Sequence, residues 1–333
     1  MRDQYVTLSV VIIGLNEADN LPRCFESVDR AAERAKGVLK GWSIIYVDSG
    51  SSDESVEVAK RYTKKVYRII SSPSAAAARM VGLYEATGSL VLFLDGDMEL
   101  DSDWLRRALI VLAENENSHY AGVIGIRDDL YVDEASGDVV GQRHNVYGVK
   151  AMRTAPHFGG ALLAKKDAIL SAGGYRLDLN GGEEPDLYGR LLSQGMRILE
   201  LPIPFVRHYT PERARTIERL VFLCKVSNYA YFGKTFWSAV REKYLASIAI
   251  VYEYTFWVWL MDLLTIIVTL IWGCLGFLIG QVLLVVGLVL SKKEQELLLA
   301  RLRFAAVLAA IPTERGLVHR RTQVQKLKYI AIL

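Results

Sequence analysis

The stretch Leu92-Phe93-Leu94-Asp95-Gly96-Asp97 decides how this chain is read. An apolar strand runs into a loop and delivers two carboxylates one residue apart. Residues at i and i+2 of an extended chain point the same way. Two acids facing one spot repel unless something positive lies between them. A divalent cation such as Mg²⁺ or Mn²⁺, which prefers oxygen ligands, is the natural candidate, and it can hold a diphosphate. An isolated Asp-x-Asp more often marks a solvated loop after a buried strand, so its meaning rests on the surrounding pattern.

Working outward, residues 6–13 read as a buried strand that ends in the loop Gly14-Leu15-Asn16-Glu17. Residues 21–35 have the apolar spacing of a helix. A second strand, 42–47, gives way to Asp48-Ser49-Gly50-Ser51-Ser52-Asp53, where Ser51 and Glu54 have the spacing of a capping box for the next helix. A third strand (66–70), a helix (74–86) and the strand 90–94 complete a β-α-β-α alternation, which predicts a mostly parallel sheet covered by helices. Ligands of such sheets bind at the carboxyl ends of the strands. Asn16, Asp48 and the Asp95/Asp97 pair all lie at such ends.

The pattern then loosens. Residues 121–126 read as a strand and the polar residues 127–144 as a loop or excursion. Residues 158–163 read as a strand carrying Gly159-Gly160, which permits close approach of another chain or a ligand. A short helix over 165–171 is ended by Gly173-Gly174. In Asn180-Gly181-Gly182-Glu183-Glu184-Pro185-Asp186-Leu187 the proline and the acids suit the first turn of a helix.

The 333 residues are 51% apolar, with a net charge of +3. That is too apolar for a plain soluble enzyme, and the excess is local. Between 245 and 290 only Glu253 and Asp262 are charged. This length crosses a membrane twice at roughly 20 residues per crossing. Arg241 and Lys243 precede it and Lys292 and Lys293 follow it. Basic flanks on both sides predict a hairpin with both ends cytoplasmic. After Ser291, Arg301, Arg303, Arg315, Arg320, Arg321, Lys326 and Lys328 stand among apolar residues, the pattern of an amphipathic segment on an anionic membrane face. The expected organisation is a catalytic domain over 1–225, a linker helix over 226–244, a transmembrane hairpin over 245–290 and a basic tail over 291–333. Cys24, Cys224 and Cys274 fit no metal or disulfide pattern, which points to a reducing compartment. No long apolar stretch opens the chain, so no secretory signal is expected.

Taken in order, these pieces resemble the family 2 glycosyltransferases of the GT-A fold. They are Ser9-Val10-Val11-Ile12 with Asn16-Glu17, Val47-Asp48 through Asp53, Ala76-Ala77-Ala78-Arg79 with Gly82, and Phe93-Leu94-Asp95-Gly96-Asp97. Phe158-Gly159-Gly160, Gly182-Glu183-Glu184-Pro185-Asp186-Leu187 with Arg190, and His208 follow. Each piece is loose, but the ordered set is specific. The resemblance implies a Rossmann-like mixed α/β sheet flanked by helices. It implies that Leu15, Asn16, Glu17 and Asp48 hold the nucleotide, that Arg79 meets the diphosphate, and that Gly96 and Gly160 line the donor site. It further implies that Asp95 faces the ribose and a Mn²⁺ or Mg²⁺ ion, that Asp97 ligates the metal, and that His208 completes its shell.

The acidic motif of that family is usually Glu-Asp, whereas here it is Glu183-Glu184. Alignment through Asp186-Leu187 and Arg190 puts Glu184 at the position of the catalytic base, with Glu183 and Asp186 as the other candidates. The Gln-x-x-Arg-Trp motif of processive synthases is absent, so one sugar per encounter is expected. The expected reaction is metal-dependent, inverting transfer from a nucleoside-diphosphate sugar to a lipid or lipid-linked acceptor at the cytoplasmic face of the cell membrane, with no nucleic-acid partner. A nucleotidyltransferase would open with a glycine-rich basic loop, whereas Gly14-Leu15-Asn16-Glu17-Ala18-Asp19 is acidic. A scaffold with a decayed transferase domain would have lost acids that this chain retains.

Overall fold

The computed structural model describes residues 6–114, 119–133, 135–179, 181–212, 229–272, 277–278, 280–282, 284–286, 294–310 and 327–332. They divide into two units, Met1–Ala214 with Val318–Leu333, and Arg215–Leu317.

The first unit is organised on β1 (Val6–Gly14), whose Val10, Val11 and Ile12 are fully buried. Helix α1 (Leu21–Ala35) turns Leu21, Cys24, Phe25, Val28, Ala31, Ala32 and Ala35 inward, the three-and-four spacing of one helix face. Strand β2 (Leu39–Asp48) runs parallel to β1, with Gly14 level with Asp48. Helix α2 (Ser55–Lys60), β3 (Val66–Ile69) and α3 (Ala75–Glu85) follow. Helix α3 lies so close to β1 that a Cβ on Gly82 would fall 2.1 Å from Val11 Cγ1. Strand β4 (Leu90–Asp95) lies on the other side of β1, also parallel, with Ile13 level with Asp95. The two registers bring three loops to one end of the sheet, after Gly14, after Asp48 and after Asp95.

The remaining elements are β5 (Met98–Leu100), α4 (Trp104–Glu114), β6 (Tyr120–Val132), β7 (Val139–Arg143), β8 (Arg153–Thr154), β9 (Leu162–Lys165), α5 (Lys166–Ser171), α6 (Glu183–Ser193), β10 (Arg197–Pro211) and β11 (Tyr329–Ala331). The strand order is β11-β3-β2-β1-β4-β9-β6-β10-β5, with β7 on β6 and β8 on β10. Strands β9, β5 and β11 pair antiparallel with their neighbours, so the sheet is mixed.

Several expectations change. The polar residues 127–144 are not a loop: β6 continues to Val132 and turns back as β7. The strand expected at 158–163 starts only at Leu162, and Gly160 before it lies against Asp95 outside the ladder. Ser51 and Glu54 form no capping box, since the Ser51 hydroxyl accepts from Asn16 N–H at 2.9 Å and Asp53 accepts from Ser55 N–H at 3.0 Å. The expected membrane-surface tail does not stay apart from the sheet. Its last described residues form β11 on the edge strand β3, with Tyr329 level with Ile69 and the Tyr329 hydroxyl donating to Glu85 at 2.7 Å.

The second unit contains α7 (Ala230–Arg241), α8 (Leu245–Val251), α9 (Glu253–Trp272), helical residues between 277 and 286, and α10 (Glu294–Ala310). Helices α8 and α9 meet at a bend of 103°. Among the described residues no single helix is long and apolar enough to cross a membrane, although that bent pair passes by length and composition. Parts of the hairpin expected over 245–290, and Lys292, Lys293, Arg315, Arg320, Arg321 and Lys326, lie outside the described residues.

Candidate active site

The loop after β1 and the loop after β2 brace one another. Asn16 adopts φ +58°, and its side-chain carbonyl accepts from Ser52 N–H at 2.8 Å. Glu17 N–H donates to Ser55 Oγ at 2.8 Å, and Ala18 N–H to Asp53 at 3.1 Å. Leu15 projects from this loop, 54% exposed. The Glu17 carboxylate accepts from Asn20 at 2.7 Å, and the Glu17 Cβ and Cγ lie against Gly96, where a Cβ would meet them at 3.2 Å. Burial raises Glu17 to about 7, against the lowering effect of Asn20 and with help from Asp97 and Asp95. Asp48, expected to hold the nucleotide, braces the start of the loop after β2. It is fully buried, accepts from Gly50 and Ser51 N–H at 3.1–3.2 Å, and pairs with Arg68 Nε at 3.1 Å.

Asp95 and Asp97 go to different partners. The Asp95 carboxylate takes Arg79 Nη2 at 2.8 Å, and Gly160 is packed on its other side. A Cβ there would stand 1.9 Å from Asp95 Oδ2, so only glycine fits. Arg79, on α3, is buried and holds three acids: Asp95, Glu183 at 2.9 Å and Glu184 at 3.1 Å. Burial would lower its pKa, but the carboxylates of Asp95 and Glu184 outweigh that and raise it. Arg79 is thus the cation that gathers the acids, a tighter placement than the expected diphosphate contact.

Helix α6 separates the three candidate bases. Gly182 precedes it at φ +69°, a left-handed turn that aims the first residues at Arg79. Glu183 is buried. Asp186 is fully buried and gripped by Arg190 at 2.7 and 2.9 Å and by Arg176 at 3.6 Å, so it anchors the helix. Glu184 alone keeps access to solvent, with 16% of its side chain exposed. Burial raises it from an ordinary 4.5 to about 7, against the lowering effect of Arg79 and with help from Glu183 and Asp95.

At the other end of the pair, β10 lies parallel to β6 and antiparallel to β5, which sets His208 beside Asp129 and Met98. His208 Nε2 lies 3.1 Å from Asp97 Oδ2, and its Nδ1 lies 3.1 Å from Asp129 Oδ1. Burial alone would lower its pKa, but the hydrogen bonds to Asp129 and Asp97 lift it to about 9. Arg127 Nε donates to Asp129 at 2.7 Å. Asp129 and Arg127 are not among the expected site residues, because the polar stretch 127–144 reads as a loop or excursion. Their i, i+2 spacing continues strand alternation past Ile126 and was the available signal.

A divalent cation fits this arrangement. Asp97 Oδ1 is buried with no hydrogen-bond partner beside an imidazole. An oxygen and imidazole donor set suits Mn²⁺. Among the described residues no three ligating side chains are gathered, so the remaining ligands would come from phosphate oxygens and water.

Residues 9–154 match the family model for glycosyl transferase family 2. Over this segment, a little under half of its length, the chain is similar to the family 2 glycosyltransferases. The chain is 27% identical over 219 residues to the pre-mycofactocin glycosyltransferase of Mycobacterium tuberculosis, covering 60% of this chain and 42% of that protein. It is 29% identical over 137 residues to the undecaprenyl-phosphate 4-deoxy-4-formamido-L-arabinose transferase of Salmonella choleraesuis, covering 39% of this chain and 40% of that one. The matches thus span well under half the length of these curated relatives. A mannosyltransferase from Pyrobaculum calidifontis, solved with GDP-Man and Mn²⁺, superposes with a TM-score of 0.52 at 17% identity, over 93% of this chain and 87% of that one. At that identity the likeness speaks for the fold. The family match begins in β1 and ends in β8, so Gly160, the Glu183-Glu184 pair and His208 lie beyond it.

Proposed function

We propose that the chain transfers a sugar from a nucleoside-diphosphate donor to a hydroxyl of a lipid or lipid-linked acceptor at the cytoplasmic membrane face, with inversion at the anomeric carbon. The observation that carries this is the convergence of Glu184, Arg79, Asp95, Asp97 and His208 at the carboxyl ends of the parallel strands. Loop residues Leu15, Asn16 and Glu17 are within reach of a nucleotide at that end. Asp97 and His208, with Asp95 nearby, would hold Mn²⁺ or Mg²⁺. When bound, that ion neutralises charge on the departing diphosphate. Glu184 takes the proton of the acceptor hydroxyl, and the oxygen attacks from the face opposite the leaving group. A base whose pKa lies near 7 is matched to this task. A phosphate acceptor would arrive already ionised, so a buried base favours a hydroxyl.

The membrane part of the reading is supported by the apolar run around α9 and by the names of relatives that act on undecaprenyl phosphate. Strand β11 supports same-side ends: the chain leaves the sheet after β10 and returns to it at Tyr329, so any crossings between them are even in number.

The test is thermal-shift and calorimetric screening of UDP-, GDP- and dTDP-sugars with and without Mn²⁺. One donor should raise the melting temperature only when Mn²⁺ is present. Stabilisation by no nucleotide sugar under either condition would overturn the proposal.

A further inference from the structure

One helix of the second unit, α9, turns polar residues inward and large apolar ones outward. Along α9, Thr255, Val258, Asp262, Thr265 and Thr269 follow one another at spacings of three and four. Thr255, Val258 and Thr265 on this face are buried. The other face carries Trp257, Leu260, Leu264, Ile267 and Leu270, all exposed, Leu270 at 82%. A helix on the surface of a water-soluble domain shows the reverse, with its apolar stripe inward.

The inward polar groups answer one another. Arg301 of α10 donates to Asp262 at 3.2 Å and to Gln281 at 2.7 Å, and Gln281 donates to Asp262 at 3.3 Å. Arg303 donates to Thr255 and stacks 4.9 Å above the Tyr252 ring. Thr265 and Thr269 turn their hydroxyls back onto the carbonyls of Met261 and Thr265 at 2.8 and 2.6 Å. Trp259 donates across to the Ala300 carbonyl at 2.8 Å. The helices also meet at small residues. A Cβ on Gly280 would fall 2.5 Å from Thr265 Oγ1, and one on Gly233 would fall 2.4 Å from the Ala306 carbonyl, the close approach seen between helices in lipid.

Polar groups need to find each other inside a bundle when the surroundings offer no hydrogen bonds. We propose that α9, the helical residues between 277 and 286, and α10 form one lipid-immersed bundle. Acyl chains cover its outer faces, and Asp262, Gln281 and Arg301 close its polar seam. This deepens the membrane reading above and rests on it only for the presence of a bilayer. It moves α10 from a surface tail into the bundle, where Phe304 and Leu308, about half exposed, face lipid. The Asp262 and Arg301 side chains keep 29% and 48% exposure, so the seam opens at one edge. There the arginine can reach outward along its aliphatic stem.

The experiment uses the full chain, its three cysteines replaced by alanine, in phosphatidylethanolamine–phosphatidylglycerol vesicles. Single spin labels at Leu264, Leu270, Val285 and Leu308 are scored for collision with oxygen and with a water-soluble nickel chelate. High oxygen and low nickel collision is expected at all four, and low collision with both at Val258. Frequent nickel collision at Leu308 would return α10 to the surface and overturn the proposal. Low collision with both reagents at Leu264 and Leu308 would mean that a second copy or another protein covers them, and would also overturn it. Asp262→Ala and Arg301→Ala should each lower the melting temperature in vesicles by several degrees, and the exchange D262R/R301D should recover at least half of the loss. No recovery would remove the pair from the seam. None of these readouts depends on nucleotide-sugar binding, so they stand or fall apart from the transferase reading.

Discussion

Replacing Glu184 by Gln should make the protein more stable and nearly inactive at the same time. Below an ordinary carboxyl pKa of 4.5 the group is protonated whether the chain is folded or not, and its burial is harmless. Between 4.5 and about 7 the unfolded chain gives up the proton while the folded chain keeps it, so stability falls as pH rises. Above about 7 the folded protein must carry a desolvated charge beside Glu183 and Asp95. Each tenfold change in proton affinity is worth about 1.4 kcal/mol, so the full cost is on the order of 3 kcal/mol above neutrality. Glutamine keeps the shape and avoids the charge. Its bond from Arg79, at 3.1 Å in the parent, would be neutral and weaker, which removes part of the gain.

Urea unfolding of parent and Glu184→Gln at pH 4.5 and pH 8 reads this directly. The stability difference should be near zero at pH 4.5 and favour Glu184→Gln by about 1–3 kcal/mol at pH 8. Turnover should fall by on the order of 10²–10⁴ with donor affinity nearly intact. In the parent, kcat/KM should rise with pH through about 7, because only the ionised carboxylate accepts a proton. Parental turnover in Glu184→Gln would refute the base assignment. Equal stability at both pH values would refute the burial argument.

Asp129→Asn should weaken Mn²⁺ binding by about 10- to 100-fold in calorimetry, as loss of a carboxylate behind a ligating histidine does, while the melting temperature without metal changes little. Gly160→Ala sets a Cβ 1.9 Å from Asp95 Oδ2, so Asp95 must turn off Arg79. Losing one such charged hydrogen bond, roughly 1.5–3 kcal/mol, should weaken donor binding by at least about tenfold with the fold intact by circular dichroism. Deleting 328–333 removes β11 and its bonds to β3, and hydrogen exchange at 66–70 should accelerate while exchange in β1 stays slow. Asp97→Ala should abolish metal-dependent donor binding in calorimetry, with circular dichroism unchanged.

The parallel half of the fold was legible because each strand there is an unbroken apolar run. Val10, Val11 and Ile12 and the run from Val91 to Leu94 are buried on both faces, which leaves no polar alternation to confuse. The helix over 21–35 was legible to the residue because its inward positions repeat at three and four. The longer strands at the other edge were not. Strand β6 turns half-exposed and polar after Ile126, with Arg127 and Asp129 facing the site, and so resembles a loop in composition. Strand β10 carries no clear strand pattern in the sequence, because Pro202 and Pro204 interrupt it, and its register with β6 shifts there. The acids of the site were legible as residue types, but their division of labour was not. Asp186 and Glu184 differ by two positions on one helix, and only the Arg190 and Arg176 pairs of Asp186 mark it as an anchor. Strand β11 carries no local signal at all, since what makes it a strand is the open edge of β3, more than 250 residues away.

The charges around Arg79 bear on what the site can accept. Among the described residues, Asp95, Asp97, Glu183, Glu184 and Asp129 pair with Arg79, Arg127 and His208. Even with His208 protonated and one proton on Glu184, four carboxylates face these three cations. A nucleoside diphosphate adds two or more negative charges, and a site without surplus positive charge has nothing with which to attract them. Among the described residues, Asp97 Oδ1 is the buried carboxylate oxygen of the site that has no hydrogen-bond partner. A divalent ion at that oxygen would supply the missing charge and accept the phosphates on its remaining positions. Metal and donor are therefore expected to bind as a unit, each weak without the other. In calorimetry, Mn²⁺ affinity should rise in the presence of the nucleotide by the same factor by which nucleotide affinity rises in the presence of Mn²⁺. A donor that bound equally well in chelator would mean that the protein finds its positive charge elsewhere, and Asp97 would lose its role.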